Sequence, residues 1–373
     1  MIRILDRQDL VDFMHGAAIY GTGGGGSVSD AMARMEDALK ENLEFKMVDP
    51  AEIPDDSMVV CPYGVGGGVK EEIRKRFSSL PRLTRKEVAH LGIMALEEKL
   101  GREIYAFVPG ELGAGNSFLA MYMAALMGKN VVDGDTVGRS VPEVPHSSFT
   151  ILDIPITPYV IVSPFGDVMV VTRVLNDSRA EDIDRFMAVA SGGGVMVIDH
   201  PIEGKKVQDS IVCGTVSKSI EVGKSIREAR ERGESPLEAV LESTGGYLLF
   251  RGSIESVERE GRDGFLWGRT KMRGSGDHSG HALEVWFKNE NLVSWLDGEP
   301  YVTCPDLITL LDADTADALS NWGEDLKEGR EVAVIGIKAP DLWRTRRGLE
   351  ILTPKYFGFD IEYKPIEEIM EGR

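Results

Sequence analysis

The segment from Asp133 to His146 carries the densest group of residues whose types could do chemistry. It holds the carboxylates of Asp133, Asp135 and Glu143, the guanidinium of Arg139 and the imidazole of His146. Two aspartates that flank a glycine after a buried strand can bind a divalent cation or hold a water molecule. A guanidinium can bind a carboxylate or imide oxygen, and an imidazole can transfer a proton. The pattern predicts such a site here, and the structural alternative is a solvated turn in which Arg139 pairs with Glu143.

A glycine run between two predicted helices is the second candidate. Gly23, Gly24, Gly25 and Gly26 follow one helical pattern and precede the next. Their backbone N–H groups could bind an anion or a carbonyl oxygen of a ligand, and the alternative is a tight turn where two helices cross. A dinucleotide fingerprint needs its glycines directly after a strand, and a phosphate loop needs a Gly-Lys-Ser/Thr ending. Neither condition is met, so we expect no nucleotide cofactor.

Two further residues follow a predicted strand over 104–108. Glu111 and Asn116 lie in a loop where they could bind substrate, and the alternative is that Asn116 caps the next helix. The six histidines are scattered, and only His278 and His281 approach ligand spacing, in what reads as an exposed hairpin turn. We expect no metal site at these two histidines, and no nucleophile at Cys213.

Composition restricts the partners. The chain has 373 residues, enough for roughly two to three domains, and 42 basic against 61 acidic residues give a net charge of −19. Such a charge repels nucleic acid and anionic membrane surfaces. Three widely separated cysteines allow no disulfide framework, and no apolar run approaches the roughly 18 residues of a membrane span. We therefore expect a cytoplasmic protein without a nucleic-acid or membrane partner.

The elements that must position these residues fall into two parts. Up to about residue 166 strands alternate with helices, which predicts an α/β layer with a largely parallel sheet and ligands at the carboxyl ends of its strands. Over 167–373 a few helices are followed by short strands, typical of a barrel or sandwich. The predicted strands of this second part cover 247–251, 265–272, 283–287, 292–296, 331–337 and 359–363.

Several motifs together resemble one family. In the first half they are the glycine run over 21–26, Glu111 to Ser117, Asp133-Gly134-Asp135, Gly138-Arg139 and Pro142-Glu143. In the second half they are Gly214 to Ser217, Asn289-Glu290, Pro305 to Ile308 and Tyr356 to Asp360. This combination, spread over nearly the whole chain, is similar to the S-methyl thiohydantoin desulfurase family, whose genes accompany those of hydantoinases and hydantoin racemases.

The resemblance implies a fold and an activity. The fold would be an N-terminal αβα sandwich, which we assign to residues 1–166, followed by a β-rich, barrel-like domain over 167–373. The activity would be hydrolysis of a cyclic thiohydantoin thioether to a hydantoin with release of methanethiol, using zinc or another divalent metal. The family match also nominates Asn289, Glu290 and Asp306 as substrate-binding residues. The chain departs from the usual family pattern at Thr136, Val137, Ser140, Val141 and His146.

On this hypothesis an activated water attacks an electron-poor ring carbon of a small cyclic amide or thioamide. Asp133 and Asp135 would be metal ligands or the base, and Glu143 a ligand or an orienting group. Arg139 or the glycine loop would stabilise the developing negative charge, and His146 would be an acid. Two alternatives stay open: a ligand-binding subunit that acts with a hydantoinase-type partner, and a hydrolase that cleaves a ring C–N bond. We also expect the chain to form a homo-oligomer.

Overall fold

A computed structural model describes residues 2–66 and 71–372. The helices, in chain order, are α1 (Arg7–Tyr20), α2 (Val28–Lys40), α3 (Glu71–Phe77), α4 (Arg85–Leu100), α5 (Ala114–Met127), α6 (Ser148–Ile151), α7 (Asp177–Ala190), α8 (Gly204–Ser210), α9 (Thr215–Arg232), α10 (Pro236–Thr244), α11 (Arg346–Ile351) and α12 (Ile366–Glu371). Within the described ranges, no helix combines the length and apolar character needed to cross a membrane.

The strands of the first part are β1 (Arg3–Leu5), β2 (Phe45–Val48), β3 (Met58–Gly66), β4 (Ile104–Phe107), β5 (Asn130–Val132), β6 (Gly134–Asp135), β7 (Tyr159–Val162), β8 (Val168–Val171), β9 (Gly194–Glu203) and β10 (Val212–Cys213). Those of the second part are β11 (Tyr247–Arg262), β12 (Phe265–Gly274), β13 (Ala282–Lys288), β14 (Glu290–Leu296), β15 (Glu299–Thr303), β16 (Leu307–Asp312) and β17 (Glu331–Ile337).

The first sheet is mixed, with the strand order β1-β2-β5-β4-β3-β9-β7-β8. The pairings of β2 with β5, β5 with β4 and β4 with β3 are parallel. The other pairings are antiparallel. The expectation of a largely parallel sheet was therefore wrong. One antiparallel pairing has a local physical reason. Strands β7 and β8 form a hairpin closed at Ser163 and Asp167, and no helix lies between them to return the chain in parallel.

The sheet also continues beyond the predicted boundary at residue 166. Both β8 and the long central strand β9 lie after that position, and β9 pairs with β3 along most of its length. Helices cover both faces of the sheet. Met47, Val60 and Phe107 face a core shared with α1, α2, α4 and α5, while Val59 and Val132 face a core shared with α6 and α8.

The second sheet is antiparallel throughout, with the order β15-β14-β13-β12-β11-β17-β16. It curls so that β14 and β16 approach each other without pairing, which makes a half-barrel rather than a closed barrel. The predicted strand over 359–363 was wrong, because this segment is irregular chain in which Phe359 packs against Trp286 and Trp295. A small third sheet, β6 with β10, joins the segment after Asp133 to the N-terminus of α9.

Candidate active site

A cavity of about 320 Å³ opens at the carboxyl ends of β3 and β4, where ligands bind in sheets of this kind. Residues in the second half of β3 and residues that follow β4 line it, and the turn between β13 and β14 of the second sheet closes its far side. The cavity therefore lies between the two sheets. Among its lining residues are Glu111, Asn116, Glu143, His146, Asn289 and Glu290, all of which the sequence nominated.

Glu111 occupies the loop between β4 and α5. One carboxylate oxygen accepts a hydrogen bond from the Asn116 side-chain amide, and the other accepts the Val141 N–H at 2.7 Å. Burial nevertheless raises the pKa of Glu111 to about 7, because these two bonds only partly replace the lost hydration. The carboxyl group is therefore near half-ionised at neutral pH, which suits a general base.

Glu290, the first residue of β14, is 3% exposed and faces the same cavity. Burial, and next the nearby Glu111, raise the pKa of Glu290 well above its usual range. Its Oε2 has no hydrogen-bond partner in the described part of the chain. Two interacting carboxyl groups in one buried site are not both ionised at neutral pH, so the pair holds at least one proton.

The glycine run makes room for this pair. A side chain at Gly24 would place its first carbon 2.0 Å from Oε1 of Glu290, so only glycine fits there. Gly25, with φ of 74°, crosses the α5 loop so closely that an added carbon would lie 2.8 Å from Cα of Gly113. The Gly25 carbonyl accepts the N–H groups of Gly115 and Asn116. The run is thus a site of close backbone crossing.

Gly23 to Gly26 also line a second cavity, of about 930 Å³. It shares Asn116, Asn289, Glu290 and Trp322 with the first cavity, so the two cavities meet at Glu290. The Asn289 side chain is held at this junction, because its oxygen accepts the Leu266 N–H at 2.8 Å.

Glu143 and His146 lie at another wall of the first cavity. Glu143 is ion-paired with Lys288 and accepts a hydrogen bond from the Tyr356 hydroxyl at 2.7 Å. Although burial acts in the opposite direction, the Lys288 ammonium and the Tyr356 hydroxyl hold the pKa of Glu143 below its usual value. The His146 ring packs edge-on against Tyr356, and burial lowers its pKa to about 4. His146 is therefore neutral at pH 7, which is unsuited to the acid role that the sequence suggested.

Asp133 and Asp135 do not line either cavity. Asp133 accepts the N–H of Ser217 at 2.9 Å and its hydroxyl at 2.6 Å, at the first turn of α9. Oδ1 of Asp135 accepts the N–H groups of Val137 and Gly138, both at 2.6 Å, while burial raises the pKa of Asp135 to about 6.

This donor set does not fit the metal that the sequence suggested. Both oxygens of Asp133 already accept hydrogen bonds, and no group of three or more His, Cys, Asp or Glu side chains within 2–66 and 71–372 is placed to hold an ion. We therefore derive no step through a metal. Two residues considered in the sequence analysis lie outside the first cavity. His281 lies 2.6 Å from the Asp297 carboxylate, and Cys213 is exposed.

Arg139 and Asp306 are fully buried away from both cavities. The Arg139 guanidinium donates to the carbonyls of Ser140, Pro305, Asp306 and Asn291 and to the hydroxyl of Thr22, so its donors join the two parts of the chain. The Asp306 carboxylate accepts from the Ala339 and Ile366 N–H groups, the Arg344 guanidinium and the Tyr363 hydroxyl. Both side chains are saturated by protein groups, which leaves them nothing to offer a ligand.

The sequence analysis missed Tyr63, Asp199 and His200, which line the first cavity from β3 and β9. The Tyr63 hydroxyl donates to Asp199 at 2.7 Å, and Oδ1 of Asp199 lies 2.9 Å from Nδ1 of His200. The available signal was an Asp-His pair directly after the short apolar stretch 195–198, which the sequence analysis does not predict as a strand.

Comparison with known proteins agrees with this architecture. The S-Me-THD-like N-terminal domain matches residues 8–173, and the S-Me-THD-like C-terminal domain matches residues 175–366. The crystal structure of a protein from Chromobacterium violaceum has the same fold, with a TM-score of 0.78 at 21% identity, over 98% of this chain and 100% of that one. No curated protein sequence matches significantly. Since the two domain matches together span nearly all of the sequence, the chain belongs to the S-Me-THD-like family.

Proposed function

We propose that this protein hydrolyses the C–S bond of a small S-alkyl thiohydantoin-type ring, releasing a thiol and leaving a ring carbonyl. Membership of the S-Me-THD-like family supports a thiohydantoin-related substrate. The first cavity supports a small one, because about 320 Å³ is at the low end of the range for small-molecule sites and suits a five-membered heterocycle.

The observation that carries the proposal is the buried carboxyl pair. Glu111, with a pKa near 7, and Glu290, with a pKa raised well above its usual value, face one cavity from the two parts of the chain. Two carboxyl groups whose environments separate their pKa values are typical of a base and an acid acting on one substrate. At neutral pH the ionised Glu111 is the base and the protonated Glu290 is the acid.

In the first step water attacks the ring carbon that carries sulfur. Glu111 accepts one proton from the water, and the oxygen bonds to the carbon. The electron pair of the ring C=N bond moves to nitrogen, which takes the proton of Glu290. The product is a neutral tetrahedral adduct that carries hydroxyl and thioether groups on one carbon.

In the second step the adduct collapses. Glu290, now ionised, takes the hydroxyl proton as the C=O bond forms. The C–S bond breaks with its electron pair on sulfur. The sulfur takes up one proton to leave as thiol, and Glu111 releases the proton that it accepted from water, so both carboxyl groups return to their starting states. The net reaction consumes one water, and the two protons of that water end on the ring nitrogen and on sulfur.

The test is thiol release from 5-substituted S-methyl thiohydantoins, followed with a thiol-reactive dye and by mass spectrometry of the ring product. The wild-type protein should release thiol and form the hydantoin. The Glu290→Gln variant should lose about 10²- to 10⁴-fold in kcat, because an amide cannot donate the acid proton.

The matched control is Glu242→Gln on the exposed face of α10, which should leave kcat unchanged. Ring opening to an acid without thiol would instead indicate C–N cleavage. Tight binding of the ring by wild-type protein, with no turnover, would contradict the proposal and indicate a binding subunit.

A further inference from the structure

A second group of titratable side chains faces the first cavity and has no part in the steps above. His200 is 2% exposed, lines the cavity, and stacks on Phe149 with ring centroids 4.6 Å apart. Its Nε2 has no hydrogen-bond partner among the described residues. A buried ring nitrogen without a hydrogen-bond partner can bond a ligand atom that reaches it.

Two carboxylates flank this ring. Oδ1 of Asp199 lies 2.9 Å from Nδ1, and Oδ2 of Asp177 lies 3.9 Å from Nε2. Asp199 is itself held by the Tyr63 hydroxyl, and Asp177 by the Thr150 hydroxyl at 2.5 Å. Negative charge on both sides of an imidazole favours the protonated ring.

Other titratable groups on neighbouring elements do not compete for this role. Burial, followed by Asp199, raises the pKa of Asp184 to about 8, so that Asp184 is mostly neutral at pH 7. Burial likewise keeps the Cys61 thiol protonated, by raising its pKa well above the usual value. Burial alone would lower the pKa of His200, but the two flanking carboxylates outweigh it and raise the pKa overall.

The backbone conformation of His200 also supports a functional role. His200 has φ of 42°, a left-handed conformation that is uncommon for residues other than glycine, within strand β9. Such a conformation persists where surrounding contacts fix it, and it is enriched at functional sites. Consecutive residues of a strand normally point to opposite faces. Asp199 and His200 nevertheless both line the cavity, because the left-handed backbone at His200 turns its side chain toward the same face.

Resting on the proposed function, we propose that His200 is the group that protonates the departing sulfur, with Asp199 and Asp177 as positioning residues. As the C–S bond breaks, its electron pair stays on sulfur and the proton of Nε2 moves to that sulfur. Neutral His200 then recovers a proton through solvent, and Glu111 releases the proton that it took from water. All atoms and charges balance with one water consumed per thiol released.

The test compares two leaving groups on the same ring, methylthio and 4-nitrophenylthio, in wild-type protein and in His200→Asn. Asparagine adopts the left-handed backbone readily, so this variant keeps the strand geometry. An alkyl thiolate needs a proton to depart, whereas the delocalised nitrophenyl thiolate leaves without one. We expect His200→Asn to lose about 10²-fold or more in kcat with methylthio and less than about tenfold with nitrophenylthio.

Equal losses with both leaving groups, or no loss with methylthio, would overturn the assignment of His200. Absence of thiol release by the wild-type protein with either substrate would instead overturn the proposed function, so the two failures are distinguishable. His90→Gln, an exposed change on α4, is the matched control and should leave both rates unchanged. If His200→Asn does not fold, Asp177→Asn should show the same selective loss in smaller degree.

Discussion

Two groups of buried charge in this molecule look alike in the sequence and differ in what surrounds them. Around Arg139 and Asp306, the guanidinium and the carboxylate are each matched by several protein donors or acceptors. Around Glu111 and Glu290, one carboxylate oxygen has no partner in the described residues and the cavity is adjacent. Saturated groups hold the two parts of the chain together, and the unsaturated pair is available for chemistry.

The difference matters because burying an unpaired polar group costs about 1–3 kcal/mol, and more if it is charged. The fold avoids the additional cost of a buried charge at Glu290 by keeping it protonated. The same proton on Glu290 is the one that the proposed mechanism donates to the substrate. By contrast, Arg139 keeps its charge and its bonds, so it adds stability without reactivity.

The largest effect is expected when the Arg139 guanidinium, whose donors are all hydrogen-bonded, is removed. Arg139→Met leaves four carbonyls and the Thr22 hydroxyl without their donor, so we expect a loss of about 3–5 kcal/mol in the free energy of unfolding. Urea denaturation measures this, with the exposed Arg346→Met as the control. A variant of normal stability that lacked activity would show that Arg139 acts in chemistry after all.

A smaller effect concerns Glu111 and the pH dependence of the free energy of unfolding. Burial raises the pKa of Glu111 from its ordinary value of 4.5 to about 7, so between these values the folded state holds a proton that the unfolded chain has released. The free energy of unfolding must therefore fall as pH rises through this window. Glu111→Gln lacks that proton, and its unfolding free energy should fall less between pH 5 and pH 7. Parallel urea titrations at both pH values would contradict the raised pKa if the two proteins changed equally.

The smallest expected effect concerns Asp133, which the sequence nominated as a metal ligand. Asp133→Ala removes the acceptor for the Ser217 N–H and hydroxyl at the start of α9, so stability should fall by about 1 kcal/mol. Because Asp133 does not line either cavity, kcat should stay within about twofold of wild type. Loss of activity together with loss of a bound ion would restore the metal hypothesis.

Local signals predicted many elements well. The predicted strands over 265–272, 283–287, 292–296 and 331–337 coincide with β12, β13, β14 and β17 to within two residues at each end. Strand β9 was missed because glycines at its start and the Asp-His-Pro stretch within it read as loop. Its place in the sheet depends on pairing with β3. That pairing joins residues far apart in the sequence, so local sequence patterns do not predict it.

The site was predicted unevenly for the same reason. Glu111 and Asn116 were found because they follow a predicted strand, and Asn289 and Glu290 because they belong to a family motif. All four line the cavity. Residue type and spacing could not separate Arg139 from them, since saturation depends on carbonyls contributed from far along the chain. His200 was missed because its flanking carboxylate Asp177 reaches it only through tertiary packing.

The central claim is that Glu111 and Glu290 act as base and acid, and the pH dependence of kcat/KM on an S-methyl thiohydantoin tests it most directly. The profile should rise about tenfold per pH unit up to about pH 7, as Glu111 ionises, and fall at higher pH as Glu290 loses its proton. In Glu111→Gln the residual rate should lack the acidic limb. A flat wild-type profile between pH 5 and pH 8, or an acidic limb unchanged in Glu111→Gln, would contradict the account.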